Sequence, residues 1–241
     1  MKHMGIFSEV KYKWILSKSY VRVCTGAKAK IGKNVTIRNS RIIVTPGSSI
    51  EIGDNVLIEN TVISISDGVC IIGHDSIIGS ASEDIMLNIE SGKIQIGHHS
   101  KISASRFWVR FGGNVHVGDY TNINSGSEIR CDEAVTIGDY NQISYNVNIW
   151  DTNTHNVHSK DERRRITEKY YPYYGYENKR PKTKPITIGN DCWIGERASI
   201  LKGTIIKDEV IVGYNCLLSN VEIPDKTTVV TKSVLDIRKR E

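Results

Sequence analysis

The sequence predicts an all-β fold, a parallel β-helix of three-sided coils. Three observations carry this: a six-residue aliphatic repeat, small residues interleaved with it, and Ile-Gly pairs about one coil apart. From Ile188 onward an aliphatic residue returns every sixth position, at Ile188, Ile194, Ile200, Ile206, Val212 and Leu218. Helices and simple sheets repeat at 3.6 and 2 residues, so neither accounts for it. A coil with one short strand per face and one inward aliphatic per hexad does. Four residues after each aliphatic stands a smaller side chain, at Cys192, Ala198, Thr204, Val210 and Cys216. Large and small residues in alternation fill a narrow triangular interior.

Upstream the repeat loosens. Ile-Gly or Val-Gly pairs open segments at Ile31, Ile52, Ile72, Ile96, Val117 and Ile137, in steps of 21, 20, 24, 21 and 20 residues. Each step is one coil of about 18 residues plus a few at a corner, giving roughly nine or ten coils between Ala27 and Pro224. The pairs Gly53-Asp54, Gly118-Asp119, Gly138-Asp139 and Gly189-Asn190 follow these aliphatics. Such residues suit tight corners because they tolerate positive φ.

The ends differ in texture. Ile6, Val10 and Trp14 recur every four residues among Lys11, Lys13 and Lys18. A short amphipathic helix over Ile6–Tyr20 is therefore expected to cap the open first coil. The same three anchors also permit a weaker alternative, peripheral contact with a membrane. The expected organisation is a cap segment over 1–26, a β-helix over 27–224 and a basic C-terminal segment over 225–241. One continuous repeat in 241 residues implies a single domain. No apolar run approaches the roughly 20 residues of a membrane span, and no signal-type apolar stretch follows Met1. A cytoplasmic location is expected. The five cysteines form no CxxC pair, which fits packed thiols in a reducing compartment.

The charge is concentrated. The step from Ile137 to Ile188 is 51 residues, too many for two coils, and the stretch Asn156–Lys184 interrupts the repeat. It holds nine Lys or Arg against four acids, an excess equal to the whole chain's net charge of +5. No nucleic-acid partner is expected. The loop also holds five of the eleven tyrosines. A long loop on a rigid scaffold is usually functional or disordered. One reading is a lid whose cations meet phosphates and whose rings stack on sugars. The other is a solvated flap.

At the mouth of this loop stands His155. Counting in sixes from Ile137 gives Ile143, Ile149 and then His155. An imidazole at the edge of a rigid coil can act as a general base near neutral pH. The plainer alternative is a corner histidine with a local hydrogen bond, the reading that His74 and His98 invite.

The text Asp151-Thr152-Asn153-Thr154-His155, then a loop, then Lys184-Pro185-Ile186-Thr187-Ile188-Gly189-Asn190-Asp191-Cys192-Trp193-Ile194-Gly195 resembles the hexapeptide-repeat O-acetyltransferases. That family includes maltose, galactoside and polysaccharide O-acetyltransferases, and the resemblance spans roughly Ala27 to Arg238. It implies a left-handed coil, a homotrimer with sites between subunits, and acetyl-CoA as acyl donor with no metal required. It also implies a sugar, cell-surface polysaccharide or glycan precursor as acceptor. Carried over by position, His155 matches the base that deprotonates the acceptor hydroxyl, which attacks the thioester directly. The backbone N–H of Glu196 matches the oxyanion donor. Asn124, Asp132 and Trp193 match acceptor-binding positions. Trp193, Gly195, Tyr214, Ser219 and Arg238 fall at coenzyme-binding positions. The chain departs from the family at the coenzyme end. Tyr214-Asn215-Cys216 replaces Ala-Gly-Ser, Ser219-Asn220 replaces Thr-Lys, and Thr231-Lys232-Ser233-Val234 replaces Gly-x-Pro-Ala.

Three other readings share the scaffold. An N-acyltransferase on an amino-sugar nucleotide would also use a basic lid. A silent binding scaffold would explain the altered coenzyme turn. A carbonic-anhydrase-like hydratase would need three converging histidines. His98 and His99 alternate in direction, His116 is out of phase with them, and His155 and His158 lie in the loop.

Overall fold

The computed structural model describes residues 15–80, 84–172 and 179–232. Three parallel sheets wind about one core. Face 1 has ten strands, from Ile15–Ser17 to Thr228–Val229. Face 2 has nine, from Tyr20–Val23 to Leu217–Ser219, and face 3 has nine, from Lys28–Ile31 to Glu222–Ile223. The chain visits the faces in rotation, so each strand pairs with those one coil before and after it.

The six-residue repeat distributes as its period demands. Ile188 and Ile206 lie on face 3, Ile194 and Val212 on face 1, and Ile200 and Leu218 on face 2, all buried. Cys192, Ala198, Thr204, Val210 and Cys216 are buried at the corners between them. The Ile-Gly markers form one column on face 3. Ile31 pairs with Ile52, Ile52 with Ile72, Ile72 with Ile96, Ile96 with Val117, and Val117 with Ile137. The extra residues of upstream coils lengthen their strands: Ile85–Ile89 and Gly92–Ile96 have five residues where Ile205–Ile206 has two.

Stacking is what stabilises such a coil, because each layer covers the next. Ile143 and Ile200 are both 0% exposed. Replacing either with Asn loses about 1.5–3 kcal/mol of apolar burial and buries an unpaired amide, for a total of about 3–5 kcal/mol. Urea unfolding of Ile200→Asn should show that loss; an unchanged midpoint would contradict the stacked core.

Corners work differently from the expectation. The left-handed residue is the one after each Gly-Asp or Gly-Asn pair: Asn55 (φ 58°), Tyr120 (52°), Tyr140 (57°) and Asp191 (55°). The glycine is required by close approach instead. A Cβ on Gly97 would sit 2.3 Å from Asp119 Oδ1 and 2.6 Å from the Gly118 carbonyl carbon. The acid or amide that follows glycine caps the preceding coil. Asp119 Oδ1 accepts from the His98 N–H at 2.7 Å, Asp139 Oδ1 from Asp119 at 2.7 Å, and Asn190 Oδ1 from Asp139 at 2.8 Å.

The coil also extends beyond the expected boundaries. Ile15–Ser17 and Tyr20–Val23 are strands, so a helix does not run to Tyr20 and the β-helix begins before Ala27. Ile6, Val10 and Trp14 lie outside the described residues. Thr228–Val229 carries face 1 past Pro224. Among the described residues the single helix is Lys160–Tyr170, inside the insertion expected to be a loop. Ser159 Oγ caps it, accepting from the Glu162 N–H, with Asp161 and Glu162 in the first turn and Lys169 in the last. Those charges suit the helix dipole. No residue of this helix is buried, and none of the described helices is long and apolar enough to cross a membrane. The cysteines are free, and Cys70, Cys131, Cys192 and Cys216 are buried. Burial pushes the Cys70 thiol up to about 12, far from reactive thiolate chemistry.

Candidate active site

The edge between faces 2 and 3 carries His155. Face 2 ends there at Asn148–Trp150, and Asp151 turns inward with 0% exposure. Its carboxylate accepts the backbone N–H groups of Asp132, Glu133 and Ala134, each at 2.8 Å. Burial pushes this carboxyl up, while the N–H donors of Asp132 and Glu133 work in the opposite direction.

The insertion starts earlier than Asn156. Thr152 bridges Thr183 in antiparallel fashion, Asn153 N–H donates to Lys182 O at 3.1 Å, and Lys184 N–H donates to Asp151 O at 2.9 Å. Ile188, not His155, takes the coil position that stacks on Ile137. His155 is exposed on the outgoing arm.

That arm is braced residue by residue. Asp132 receives the Arg110 fork, Nε at 2.9 Å and Nη2 at 2.8 Å, and the Thr152 hydroxyl at 2.6 Å. Thr152 Oγ1 then accepts the Thr154 N–H at 3.1 Å. Lys202 Nζ, one coil on, donates to Asn153 Oδ1. The His155 N–H closes onto Asn153 O at 2.7 Å. Thr183 Oγ1 and Arg180 both meet Glu133, fixing the returning arm.

Asp132, expected to contact the acceptor, is enclosed by its own chain. Asp132 is 1% exposed, and both its oxygens are occupied inside the chain. Through Thr152 these contacts reach the arm that carries His155. Asp132→Asn would leave Arg110, whose side chain is only 13% exposed, without its charge partner. Breaking a buried pair from one side costs about 3–5 kcal/mol. The melting temperature of Asp132→Asn should fall sharply, and pairing it with Arg110→Met should restore part of the loss. A variant as stable as the parent would contradict this bracing.

The edge between faces 1 and 2 carries a second group of residues. Gly195–Ala198 is a turn closed by the Ala198 N–H on Gly195 O at 3.2 Å, with Arg197 at φ 61°. The Glu196 N–H has no partner among the described residues. Trp193 is 57% exposed on face 1 just before this turn, and Tyr214 is 59% exposed one coil on. Arg197 Nη1 donates to Tyr214 Oη at 2.8 Å. Asn124 lies on the same edge two coils earlier, half-buried, its Oδ1 accepting from Asn122 Nδ2 at 3.1 Å.

The structure thus divides the expected site residues. Trp193, Gly195, Glu196, Tyr214 and Asn124 gather on one edge. His155 and Asp132 gather on the other. Ser219, expected like Tyr214 to bind the coenzyme, ends the face-2 strand Leu217–Ser219 and so lies on the histidine edge. Arg238 is outside the described residues. The paired strands Asn148–Trp150 and Ser199–Leu201 run between the two edges, a span of roughly 15 Å with its corners at about 3.3 Å per residue. One chain does not bring His155 and the Glu196 N–H to the same atom.

Sequence reasoning missed Arg110, Thr152, Arg197 and Lys202. Asp132 and Asp151 stand one coil apart at the same corner, and that spacing was the available signal. The histidines need a second correction. His98 and His99 do not diverge: both rings meet His74, with centroids at 3.8 Å and 5.2 Å.

The fold is a parallel β-solenoid of six-residue repeats, and known proteins built on such repeats resemble it. Residues 185–220 match the family described as bacterial transferase hexapeptide (six repeats). The chain is similar to galactoside O-acetyltransferase of Escherichia coli (strain K12), 34% identical over 114 residues, covering 47% of this chain and 48% of the relative. It is also similar to the putative lipopolysaccharide biosynthesis O-acetyl transferase WbbJ of the same organism, 31% identical over 119 residues, covering 49% and 54%. The chain spans about half the length of these curated relatives. Among solved structures, the polysialic acid O-acetyltransferase OatWY shares the fold, with a TM-score of 0.50 at 15% identity over 91% of this chain and 93% of that one.

Proposed function

We propose that this chain is an acetyl-CoA-dependent O-acetyltransferase acting on a hydroxyl of a sugar, a surface polysaccharide or its precursor. We propose further that it works as a homotrimer with its sites between neighbouring chains. The observation that carries the reading is the split of the site into two complementary halves, one holding an exposed imidazole and the other an unpaired N–H.

A three-fold arrangement with face 2 turned to the axis brings the His155 edge of each chain against the Glu196 edge of the next. Face 2 suits that position. Arg130 lies between Trp108 and Trp150, 5.8 Å and 4.3 Å from their ring centroids, and Trp150 Nε1 is buried without a partner among the described residues. Trp108, Arg130 and Trp150 are each half-buried, so their planar faces remain available for a second copy to pack on.

The chemistry follows from the residues. A sugar hydroxyl is a poor nucleophile, and His155 takes its proton as the oxygen attacks the thioester carbonyl. The Glu196 N–H receives the negative charge that develops on the carbonyl oxygen. As the carbon–sulfur bond breaks, the proton on His155 passes to the departing sulfur, leaving an ester and a free thiol. Acetyl-CoA supplies the acyl group. Arg197, Trp193 and Tyr214 fit its phosphates and ring along one exposed edge, and the basic insertion adds cations near the acceptor.

The test is release of free thiol from acetyl-CoA with a panel of free sugars, glycan oligomers and amino-sugar nucleotides. Turnover confined to hydroxyl acceptors supports O-acetylation. Turnover confined to amines, or none with any acceptor, contradicts it.

A further inference from the structure

The corner between faces 3 and 1 lies away from both halves of the transfer site. It holds His74 and Asp75 in one coil and His98 and His99 in the next. One ligand atom each from His74, Asp75 and His99 lies within 4.8 Å of the others. Tetrahedral zinc bonds of about 2.0–2.2 Å to nitrogen and oxygen set donor atoms roughly 3.4 Å apart, so small side-chain rotations close the set.

We infer that His74, Asp75 and His99 form a binding site for a zinc ion, separate from acyl transfer. Three features distinguish this cluster from a chance surface grouping. The backbone is fixed: Asp75 (φ 58°) and His99 (φ 53°) are left-handed corner residues, and their N–H groups bond to Asp54 O at 2.8 Å and His74 O at 3.0 Å. The carboxylate is oriented, since Asn55 Nδ2 donates to Asp75 Oδ1 at 2.9 Å and leaves Oδ2 toward His74 Nδ1 at 2.6 Å. The imidazoles are oriented too. His99 stacks on Tyr120 at 4.7 Å, while His98 Nδ1 accepts the His74 N–H at 3.0 Å and packs its ring against the His74 ring.

Outer contacts of this kind hold metal ligands in place. Two nitrogens and one carboxylate oxygen suit zinc, and an exposed corner leaves a fourth position for water. On binding, zinc replaces the proton shared between His74 and Asp75.

The test is calorimetric titration of the full chain with zinc, alongside His99→Ala, Asp75→Asn and His3→Ala. The last variant controls for a histidine near the amino terminus. The wild type should take up one zinc per chain. His99→Ala and Asp75→Asn should each weaken binding by more than about tenfold, since losing an outer contact to a ligand already costs about 10–100-fold. His3→Ala should leave it unchanged. X-ray absorption on the wild type should show nitrogen and oxygen neighbours only. No uptake, uptake indifferent to His99 and Asp75, loss in His3→Ala, or sulfur in the first shell would each overturn the site.

Discussion

His155→Ala should lower turnover by about 10²–10⁴-fold, the contribution of a positioned general base. Stability should hardly change, because the ring is exposed and the arm is held by Thr152, Asn153 and Thr154 rather than by the imidazole. Initial rates of thiol release, with melting temperature and assembly mass measured on the same sample, separate the two effects. A variant that transfers acetyl at the parental rate would show that another group takes the proton. A variant that unfolds would show that the arm depends on the ring after all.

Glu196→Pro should lower turnover by about 10²–10³-fold, the effect of removing one oxyanion donor. Proline deletes the N–H, which has no partner among the described residues, and with it the glutamate side chain that faces Arg197 at 3.7 Å. The turn accepts it: in a turn whose third residue has positive φ, proline is favoured at the second. This protein already builds such a corner at Thr45-Pro46-Gly47-Ser48, with Gly47 at φ 81° and the Ser48 N–H on Thr45 O at 3.1 Å. The expected result is an intact melting curve with a low turnover number. Glu196→Ala, which keeps the N–H, should stay close to the parent. Equal losses in both variants would assign the effect to the side chain instead.

The fold was legible because burial is periodic. The aliphatics from Ile188 to Leu218 announce themselves at fixed spacing, and the Ile-Gly pairs mark one column before any coordinates are seen. What was less legible is what depends on neighbours one coil away. The residue types at Gly118-Asp119 pointed to a corner, but assigning positive φ to the pair overlooked that the carboxylate caps the coil before it. The helix Lys160–Tyr170 leaves no trace in apolar spacing, because it buries nothing. Its local signal was present, a serine with glutamate three positions on. Asp132 looked like a surface ligand because its two partners, Arg110 and Thr152, are distant in sequence and adjacent only through stacking. The clustering of His74 with both His98 and His99 was hidden for the same reason. Alternation along a strand does not apply across a left-handed corner.

The most direct measurement of the split site is complementation. Co-expressed His155→Ala and Glu196→Pro chains, each nearly inactive alone, assemble at random if the two mix equally. A site formed by His155 of one chain and the Glu196 N–H of its neighbour is then whole in about a quarter of cases. Purified mixed trimers, which exclude the two inactive homotrimers, each hold one whole site in three and should recover about a third of wild-type turnover. Turnover no higher than that of either variant alone, in trimers proven to contain both chains, would mean that the imidazole and the N–H do not meet across the interface.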